Sequence, residues 1–127
     1  MPIVQISLCR GKSPAYRAAL RDGIHRALCT TFDVPEADRF ALVSEYAPED
    51  FAYDPDYLGV ARSQDLVMVQ ITVSRTRGVT QKKALYAAIA HNLAEAPGLR
   101  PEDVLVVLTE NAREDWSFGQ GIAQYVA

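Results

Sequence analysis

The sequence contains few cysteines, no cluster of basic residues and no long apolar stretch. Among its 127 residues are two cysteines and two histidines, whose spacing indicates neither a disulfide framework nor a metal site. A net charge of −3 without a Lys/Arg run argues against nucleic acids and anionic membranes as partners. No segment is apolar for long enough to span a bilayer, and no charged leader precedes an apolar run. These absences predict a cytoplasmic globular protein with no nucleic-acid or membrane partner.

The segment 1–8 predicts a β-strand, since Val4, Ile6 and Leu8 fall on one face and the intervening residues on the other. Pro2 stands at its start, a position where a sheet tolerates a residue that donates no hydrogen bond. A second interpretation of Pro2 is chemical. A methionine before so small a residue is commonly removed, which would make Pro2 an N-terminal secondary amine. The usual α-amino pKa of about 7.7–8.0 lies close enough to neutrality for an acid or a base.

Two halves of the chain carry the same pattern of elements. A shift of 65 residues superposes Val4-Gln5-Ile6-Ser7 on Val69-Gln70-Ile71-Thr72 and keeps strand, helix and strand in register. The repeat spans approximately 2–46 and 66–110 and leaves 111–127 as a tail. The other predicted elements are a helix from Ser13-Pro14 to about Asp33, a strand over 39–46, a strand over 66–73, a helix capped by Thr80 and a strand over 104–109.

Each half is a βαβ unit, so the repeat predicts an α/β (α+β) fold in one domain over 1–127. Two units side by side give a four-stranded sheet with both helices on one face. The mixed surface left on the other face would carry Gln5, Ser7, Met68, Gln70 and Thr72. A second copy of the chain is the economical cover for such a face, which predicts an oligomer.

Three further features are candidates for a site with Pro2. Arg75 and Arg77 follow the third strand, and residues two apart in an extended chain point the same way, so both could bind one carboxylate. Taken alone, they are more often surface charge. Asp38 precedes the second strand, either as a turn residue paired with Arg39 or as a site carboxylate. The tail adds aromatic side chains that need burial, at the edge of the core or over a site. They are Trp116, Phe118 and Tyr125.

An N-terminal Pro2, a duplicated βαβ unit and arginines after the third strand resemble the tautomerase superfamily. Within it, the sequence is most similar to the malonate semialdehyde decarboxylases. The stretches that carry this similarity are 34–39 (VPEADR), 74–77 (SRTR) and 110–119 (ENAREDWSFG). The resemblance implies a homotrimer that decarboxylates a small β-oxo acid, such as malonate semialdehyde, without a metal or organic cofactor.

The resemblance also implies a role for each candidate residue. Arg75 and Arg77 would bind the substrate carboxylate and align the bond to be broken. Cationic Pro2 would polarise the carbonyl and stabilise the enolate formed as carbon dioxide leaves, whereas neutral Pro2 would form an iminium. Asp38 would keep Pro2 charged or activate water. The aromatic side chains of the tail would exclude water from the pocket.

Other functions fit the same residues. A neutral Pro2 would act as the base of a keto–enol tautomerase for 2-oxo acids such as phenylenolpyruvate, and a water-activating Asp38 would make a hydratase of unsaturated acids. Asp38 favours the lyase because a nearby carboxylate raises the pKa of an amine, while the two arginines lower it. In a third alternative, the chain is a non-catalytic oligomeric binding module, and Pro2 merely starts a strand.

Overall fold

The computed structural model describes residues 2–126, in which strand, helix and strand follow one another twice. This order is the predicted one. The helices and strands are β1 (Ile3–Cys9), α1 (Pro14–Phe32), β2 (Ala41–Tyr46), β3 (Val67–Ser74), α2 (Val79–Glu95) and β4 (Val104–Asn111). Neither helix is both long and apolar enough to cross a membrane, nor is any other helix within these residues.

The two helices begin by different capping chemistry. Ser13 caps α1 as predicted, because its Oγ accepts a hydrogen bond from the Tyr16 N–H at 3.1 Å. The prediction that Thr80 caps α2 is wrong. The Lys82 N–H donates to the Gly78 carbonyl at 3.1 Å, so Gly78 is the cap and Thr80 already lies in the first turn.

The strand bounds differ slightly from the predicted ones. β2 begins two residues later than predicted, at Ala41, and Arg39 before it forms an ion pair with Asp22 of α1. β3 begins at Val67 rather than Leu66. β4 continues to Asn111, two residues beyond the predicted end, because its ladder with β3 extends that far.

The sheet has the strand order β2-β1-β3-β4. β1 and β2 are parallel with Val4 opposite Ala41, and β3 and β4 are parallel with Val69 opposite Val106. The second register is the first one shifted by 65 residues. β1 and β3 run antiparallel at the centre and join the two units. The predicted duplicated βαβ fold is therefore confirmed, with one helix as the crossover of each parallel pair.

The core lies between one face of the sheet and the two helices. Asn92 of α2 donates to the Gly23 carbonyl of α1 at 2.9 Å, and a Cβ added at Gly23 would lie 2.8 Å from Leu93 Cδ2. The helices thus pack against each other on one face of the sheet. The buried apolar residues of the two central strands are Val4, Ile6, Leu8, Val67, Val69, Ile71 and Val73, and those of the helices include Leu20, Ile24, Leu28, Phe32, Leu85, Ile89 and Leu93.

The opposite face of the sheet carries exposed polar and apolar side chains. Gln5 and Gln70 are exposed at its centre, as predicted. In register beside them lie Leu42 and Val107, which are 60% and 44% exposed. A single exposed apolar residue is ordinary, but these two occupy the same place in each half. The residues described therefore leave one partly apolar face of the sheet uncovered.

Candidate active site

Pro2 and Asp38 lie at the same edge of the sheet. β1 and β2 are parallel neighbours, so the residues that precede them meet at the amino ends of the strands. The Val4 N–H donates to the Phe40 carbonyl at 3.0 Å and joins the two segments. Pro2 is buried and lines a cavity of about 10 Å³ together with Asp38 and Phe40, called here the Pro2 cavity. The predicted amine position and the predicted carboxylate are thus neighbours.

Arg75 follows β3 and lines a larger pocket of about 560 Å³, called here the Arg75 pocket. Its backbone N–H donates to the Asn111 carbonyl at 2.8 Å, which fixes the segment against the end of β4. Its Nε lies 3.9 Å from Glu110 Oε1, and the same oxygen is 2.8 Å from Lys82 Nζ. Arg75 itself is exposed, so its guanidinium is accessible to a carboxylate from solvent.

Arg77 is held by a different part of the chain. Its Nη2 donates to the Phe32 carbonyl at the end of α1 at 2.5 Å, and its guanidinium lies 4.9 Å from the centre of the Phe32 ring. Burial lowers the pKa of Arg77 from its ordinary value, and the charge interactions with Asp33 and Tyr125 oppose that shift. An arginine nevertheless stays charged. That Arg75 and Arg77 together bind one carboxylate remains a prediction.

The three predicted aromatic residues of the tail come together. Trp116 and Phe118 stack with ring centroids 5.5 Å apart, and the Phe118 and Tyr125 rings meet edge to face at 5.1 Å. Phe40, whose ring centroid is 6.1 Å from that of Phe118, completes what is called here the tail aromatic cluster. The cluster borders the Pro2 cavity, because Phe40 lines that cavity as well.

Sequence reasoning missed three residues that connect these parts. Arg113 lies over the Tyr125 ring at 5.0 Å and also lines the Arg75 pocket, so it links that pocket to the tail aromatic cluster. Asn111 Oδ1 accepts a hydrogen bond from Trp116 Nε1 at 2.6 Å. Phe40 falls in the predicted strand 39–46, which gives no indication that it lines a cavity. Arg113 lies in a tail without periodicity and Asn111 is a polar residue at a strand end, so the sequence gives no signal of these contacts. Asn111 does fall in the stretch 110–119, which carries the family resemblance.

Cys29 and His25 form a contact outside these pockets. Cys29 Sγ lies 3.5 Å from His25 Nε2, and that nitrogen also contacts the Glu36 carbonyl at 2.9 Å. Burial raises the pKa of the Cys29 thiol, with a smaller contribution from Glu36. The pair therefore lacks the lowered thiol pKa of a nucleophile. Within residues 2–126, no three His, Cys, Asp or Glu side chains are grouped to hold a metal ion.

The chain matches family models described as "Tautomerase enzyme" over residues 2–61 and over residues 38–119. It is 41% identical over 126 residues to the probable tautomerase YusQ of Bacillus subtilis strain 168, with 99% of each chain covered. The family-model match over residues 2–61 includes Pro2 and Asp38, and the alignment with YusQ extends across nearly the whole chain.

Solved structures show the same relationship. The chain superposes on malonate semialdehyde decarboxylase with a TM-score of 0.93 and 32% identity, covering 98% of this chain and 95% of that one. That protein is described as having decarboxylase and hydratase activities. A fused 4-OT, described as a symmetric trimer, gives a TM-score of 0.80 at 23% identity and 98% coverage of both chains. The resemblance found in the sequence is confirmed: this chain belongs to the tautomerase family of enzymes.

Proposed function

We propose that the protein decarboxylates a small β-oxo acid of the malonate semialdehyde type, using the amine of Pro2 after removal of Met1. The observation that carries the proposal is that Pro2 and Asp38 line one small cavity. The likeness to malonate semialdehyde decarboxylase over 98% of the chain supports it. The reaction needs no metal or organic cofactor, because a cationic amine suffices as the electron sink.

The protonation state of the Pro2 amine decides which reaction it can catalyse. A carboxylate close to an amine favours its protonated form, and Asp38 is the carboxylate beside Pro2. The cationic N–H would donate to the carbonyl oxygen of the substrate. The bond between the α-carbon and the carboxylate then breaks, its electron pair moves into the carbonyl as an enolate, and carbon dioxide leaves. Protonation of the enolate carbon completes the reaction and gives acetaldehyde from malonate semialdehyde.

The surrounding residues would orient the substrate and exclude water. Arg75 would bind the carboxylate through its guanidinium and hold the scissile bond out of the plane of the carbonyl. Arg77, which has an electrostatic interaction with Tyr125, would add positive charge at the same end of the sheet. Trp116 and Phe118 would supply an apolar wall, in which the charge interactions with the developing enolate are stronger than in water.

A tautomerase is the second candidate, because the relative at 41% identity is named a probable tautomerase. In that reaction Pro2 would be neutral and would move a proton between carbon and oxygen of an enolised 2-oxo acid such as phenylenolpyruvate. The cations Arg75 and Arg77 favour it, since positive charge lowers the pKa of a nearby amine. A hydratase activity would use the same residues, with Asp38 activating water.

We propose that the protein is a homotrimer, which the uncovered face of the sheet and the trimeric state of a related fold support. Leu42 and Val107 are exposed there, in equivalent positions of the two halves, and the fused 4-OT of similar fold is described as a trimer. We expect light scattering to give three times the mass of one chain. Leu42→Asp should dissociate the trimer because it places a charge within the apolar contact. Lys83→Asp, which places the same charge on the exposed surface of α2, should leave the trimer intact.

The experiment that tests the proposal combines the intact mass of the native protein with assays on malonate semialdehyde and phenylenolpyruvate. Loss of Met1 and decarboxylation are expected, with kcat/KM reduced at least about a hundredfold in Pro2→Ala and Arg75→Ala, equivalent to ~2.7 kcal/mol. Arg26→Ala removes an exposed arginine of α1 and serves as the matched control. Ketonisation without decarboxylation would select the tautomerase. Retained methionine without either activity would leave a binding module.

A further inference from the structure

The internal repeat continues beyond the second strand of each half. A 3₁₀ turn at Pro48–Asp50 follows β2, and one at Arg113–Asp115 follows β4, 65 residues later. The next residues are Phe51 and Trp116, again 65 apart, and they are 8% and 7% exposed. The loop after β2 therefore repeats the start of the tail, although the aromatic residues differ in type.

The second aromatic residue of each loop contacts the first, edge to face after β2 and stacked after β4. The Phe51 and Tyr53 ring centroids are 6.0 Å apart, and those of Trp116 and Phe118 are 5.5 Å apart. Tyr46, at the end of β2, adds a third ring 6.1 Å from Phe51. The first half of the chain thus has an aromatic wall of its own.

Arg10 is the counterpart of Arg75 in this arrangement. The Arg10 N–H donates to the Tyr46 carbonyl at 2.8 Å, just as the Arg75 N–H donates to the Asn111 carbonyl at 2.8 Å. Arg10 lines a pocket of about 480 Å³ together with Phe51 and Tyr53, called here the Arg10 pocket. Its size is within the range of ordinary small-molecule sites. An arginine and an aromatic wall therefore occur at both ends of the sheet.

The Arg10 pocket lacks the groups that would perform proline chemistry. The counterpart of Pro2 is Val67, which lies within the chain and has no free amine. The counterpart of Asp38 is Asp103, which is 1% exposed and accepts hydrogen bonds from the Ser63 N–H and hydroxyl, both at 2.7 Å. Its carboxylate is thus engaged in holding the chain that leads into β3. The pocket retains the groups for binding and not those for catalysis.

The charges around the Arg10 pocket favour a monoanion. Lys12, the counterpart of Arg77, pairs with Asp65 at 2.7 Å, and both residues line the pocket. Within residues 2–126, the Arg10 guanidinium has no hydrogen bond or ion pair, so the pocket carries one uncompensated positive charge. A planar guanidinium can donate two parallel hydrogen bonds to one carboxylate.

We propose that the Arg10 pocket binds a small monocarboxylate with an aromatic or apolar body and does not transform it. Arg10 would bind the carboxylate, and Phe51 and Tyr53 would pack against the body of the ligand. Binding at this second site is independent of any reaction at Pro2, so the proposal stands apart from the proposed function.

The test is a titration of the native protein with phenylacetate, followed by amide NMR. We expect saturable shifts of the Gly11 and Tyr53 amides, which report on the Arg10 pocket. In Arg10→Ala the dissociation constant at these amides should rise at least about tenfold. Arg10→Lys, which keeps the charge but loses the planar fork, should weaken binding by a smaller factor. Arg26→Ala should leave it unchanged, as an exposed arginine away from both pockets.

The two ends of the sheet give separate readouts. Arg75→Ala should remove the shifts of the Thr76 and Ala112 amides in the Arg75 pocket and leave those of Gly11 and Tyr53. Absence of saturable shifts at Gly11 and Tyr53 would overturn the proposal, as would shifts that persist undiminished in Arg10→Ala. Because no turnover is measured, failure of the decarboxylase or tautomerase assays leaves this result unaffected.

Discussion

Gln5 lies directly opposite Gln70 where β1 and β3 run antiparallel. The two residues are also 65 apart in sequence, so each is the repeat counterpart of the other. A pseudo-twofold axis perpendicular to the sheet therefore passes between them and exchanges the two halves. Contacts at one end of the sheet have counterparts at the other. Two counterpart residues of the same type therefore allow the effect of burial on an ion pair to be measured within one protein.

Glu110 and Glu45 are such counterparts. Because they differ in burial, we expect removal of their charges to lower the free energy of unfolding by different amounts. Glu110 Oε1 lies 2.8 Å from Lys82 Nζ and its side chain is 17% exposed, whereas Glu45 Oε1 lies 3.3 Å from Arg17 Nη1 and is 33% exposed. Glu110→Gln should lower the free energy of unfolding by about 1–3 kcal/mol, since it deprives a partly buried cation of its partner. Glu45→Gln should cost less than ~1 kcal/mol.

Urea unfolding at one fixed protein concentration measures both costs. Glutamine has nearly the shape of glutamate, so the comparison reports on charge rather than packing. The double variant Lys82→Met/Glu110→Gln should recover part of the loss, because it leaves no partly buried charge unpaired; the remaining partner of Glu110, Arg75, is exposed. Equal costs in the two single variants would contradict the idea that burial decides the strength of these ion pairs.

Most of the fold could be predicted because its signals are local and occur twice. The alternation around Val4 and Val69, the Ser13 cap and the constant shift between the halves each indicate the same arrangement. The sequence indicates Thr80 as the cap because a threonine before an apolar stripe is a standard helix start, whereas the actual cap, Gly78, has no side chain to give a signal.

The candidate site could be predicted only in part. The cavity linings at this end of the sheet include the candidates Pro2, Asp38 and Arg75. Arg77 instead contacts the Phe32 carbonyl, 45 residues earlier in the chain, and no local pattern indicates that contact. The prediction that Arg75 and Arg77 point the same way requires an extended backbone, but β3 already ends at Ser74. The Arg10 pocket was missed because the repeat there preserves aromatic character and not residue identity, with Phe51 in the place of Trp116.

Trp116 is the only tryptophan in the sequence, so its fluorescence reports on the tail aromatic cluster. Asn111 Oδ1 accepts its indole N–H at 2.6 Å, and the same residue accepts the Arg75 N–H through its carbonyl. Asn111→Ala should shift the emission to longer wavelength and increase quenching by acrylamide, because the indole loses its anchor. KM for the carboxylate substrate should rise by about tenfold, with a smaller change in kcat.

Trp116→Phe removes the other partner of this hydrogen bond and is the complementary variant. It retains an aromatic ring next to Phe118 but has no N–H for Asn111, so it should raise KM by a similar factor and abolish the fluorescence. Unchanged emission and unchanged KM in Asn111→Ala would show that the hydrogen bond does not position the indole.

Gly23 marks the close approach of the two helices, which makes Gly23→Ala destabilising. The new Cβ would lie 2.8 Å from Cδ2 of the buried Leu93. Overpacking of this kind costs about 1–3 kcal/mol, and the higher helix propensity of alanine returns up to ~1 kcal/mol. We expect a net loss near 1 kcal/mol in urea unfolding. In a Leu93→Ala background, where the collision is absent, Gly23→Ala should become stabilising instead. Destabilisation in both backgrounds would contradict the steric explanation.

The contact between Cys29 and His25 predicts a thiol that is less reactive than an ordinary cysteine. The Glu36 carbonyl can only accept a hydrogen bond, so His25 Nε2 carries a hydrogen and cannot take the proton of the thiol. Burial raises the pKa of Cys29 from its ordinary value of 9.0. Only the thiolate reacts with iodoacetamide, so alkylation at pH 9 should be slower in the folded protein than in urea.

The variant Cys9→Ser leaves Cys29 as the only thiol, so intact mass gives its alkylation rate directly. The pH profile separates acidity from access, because limited access lowers every rate whereas a raised pKa moves the midpoint above 9.0. The folded state holds the proton more tightly than the unfolded state. The stability contributed by this thiol is therefore complete below the unfolded pKa and is lost as the pH rises through the folded one. A folded-state midpoint below that of the protein in urea would mean that His25 activates Cys29, and the thiol would then have to be considered a nucleophile.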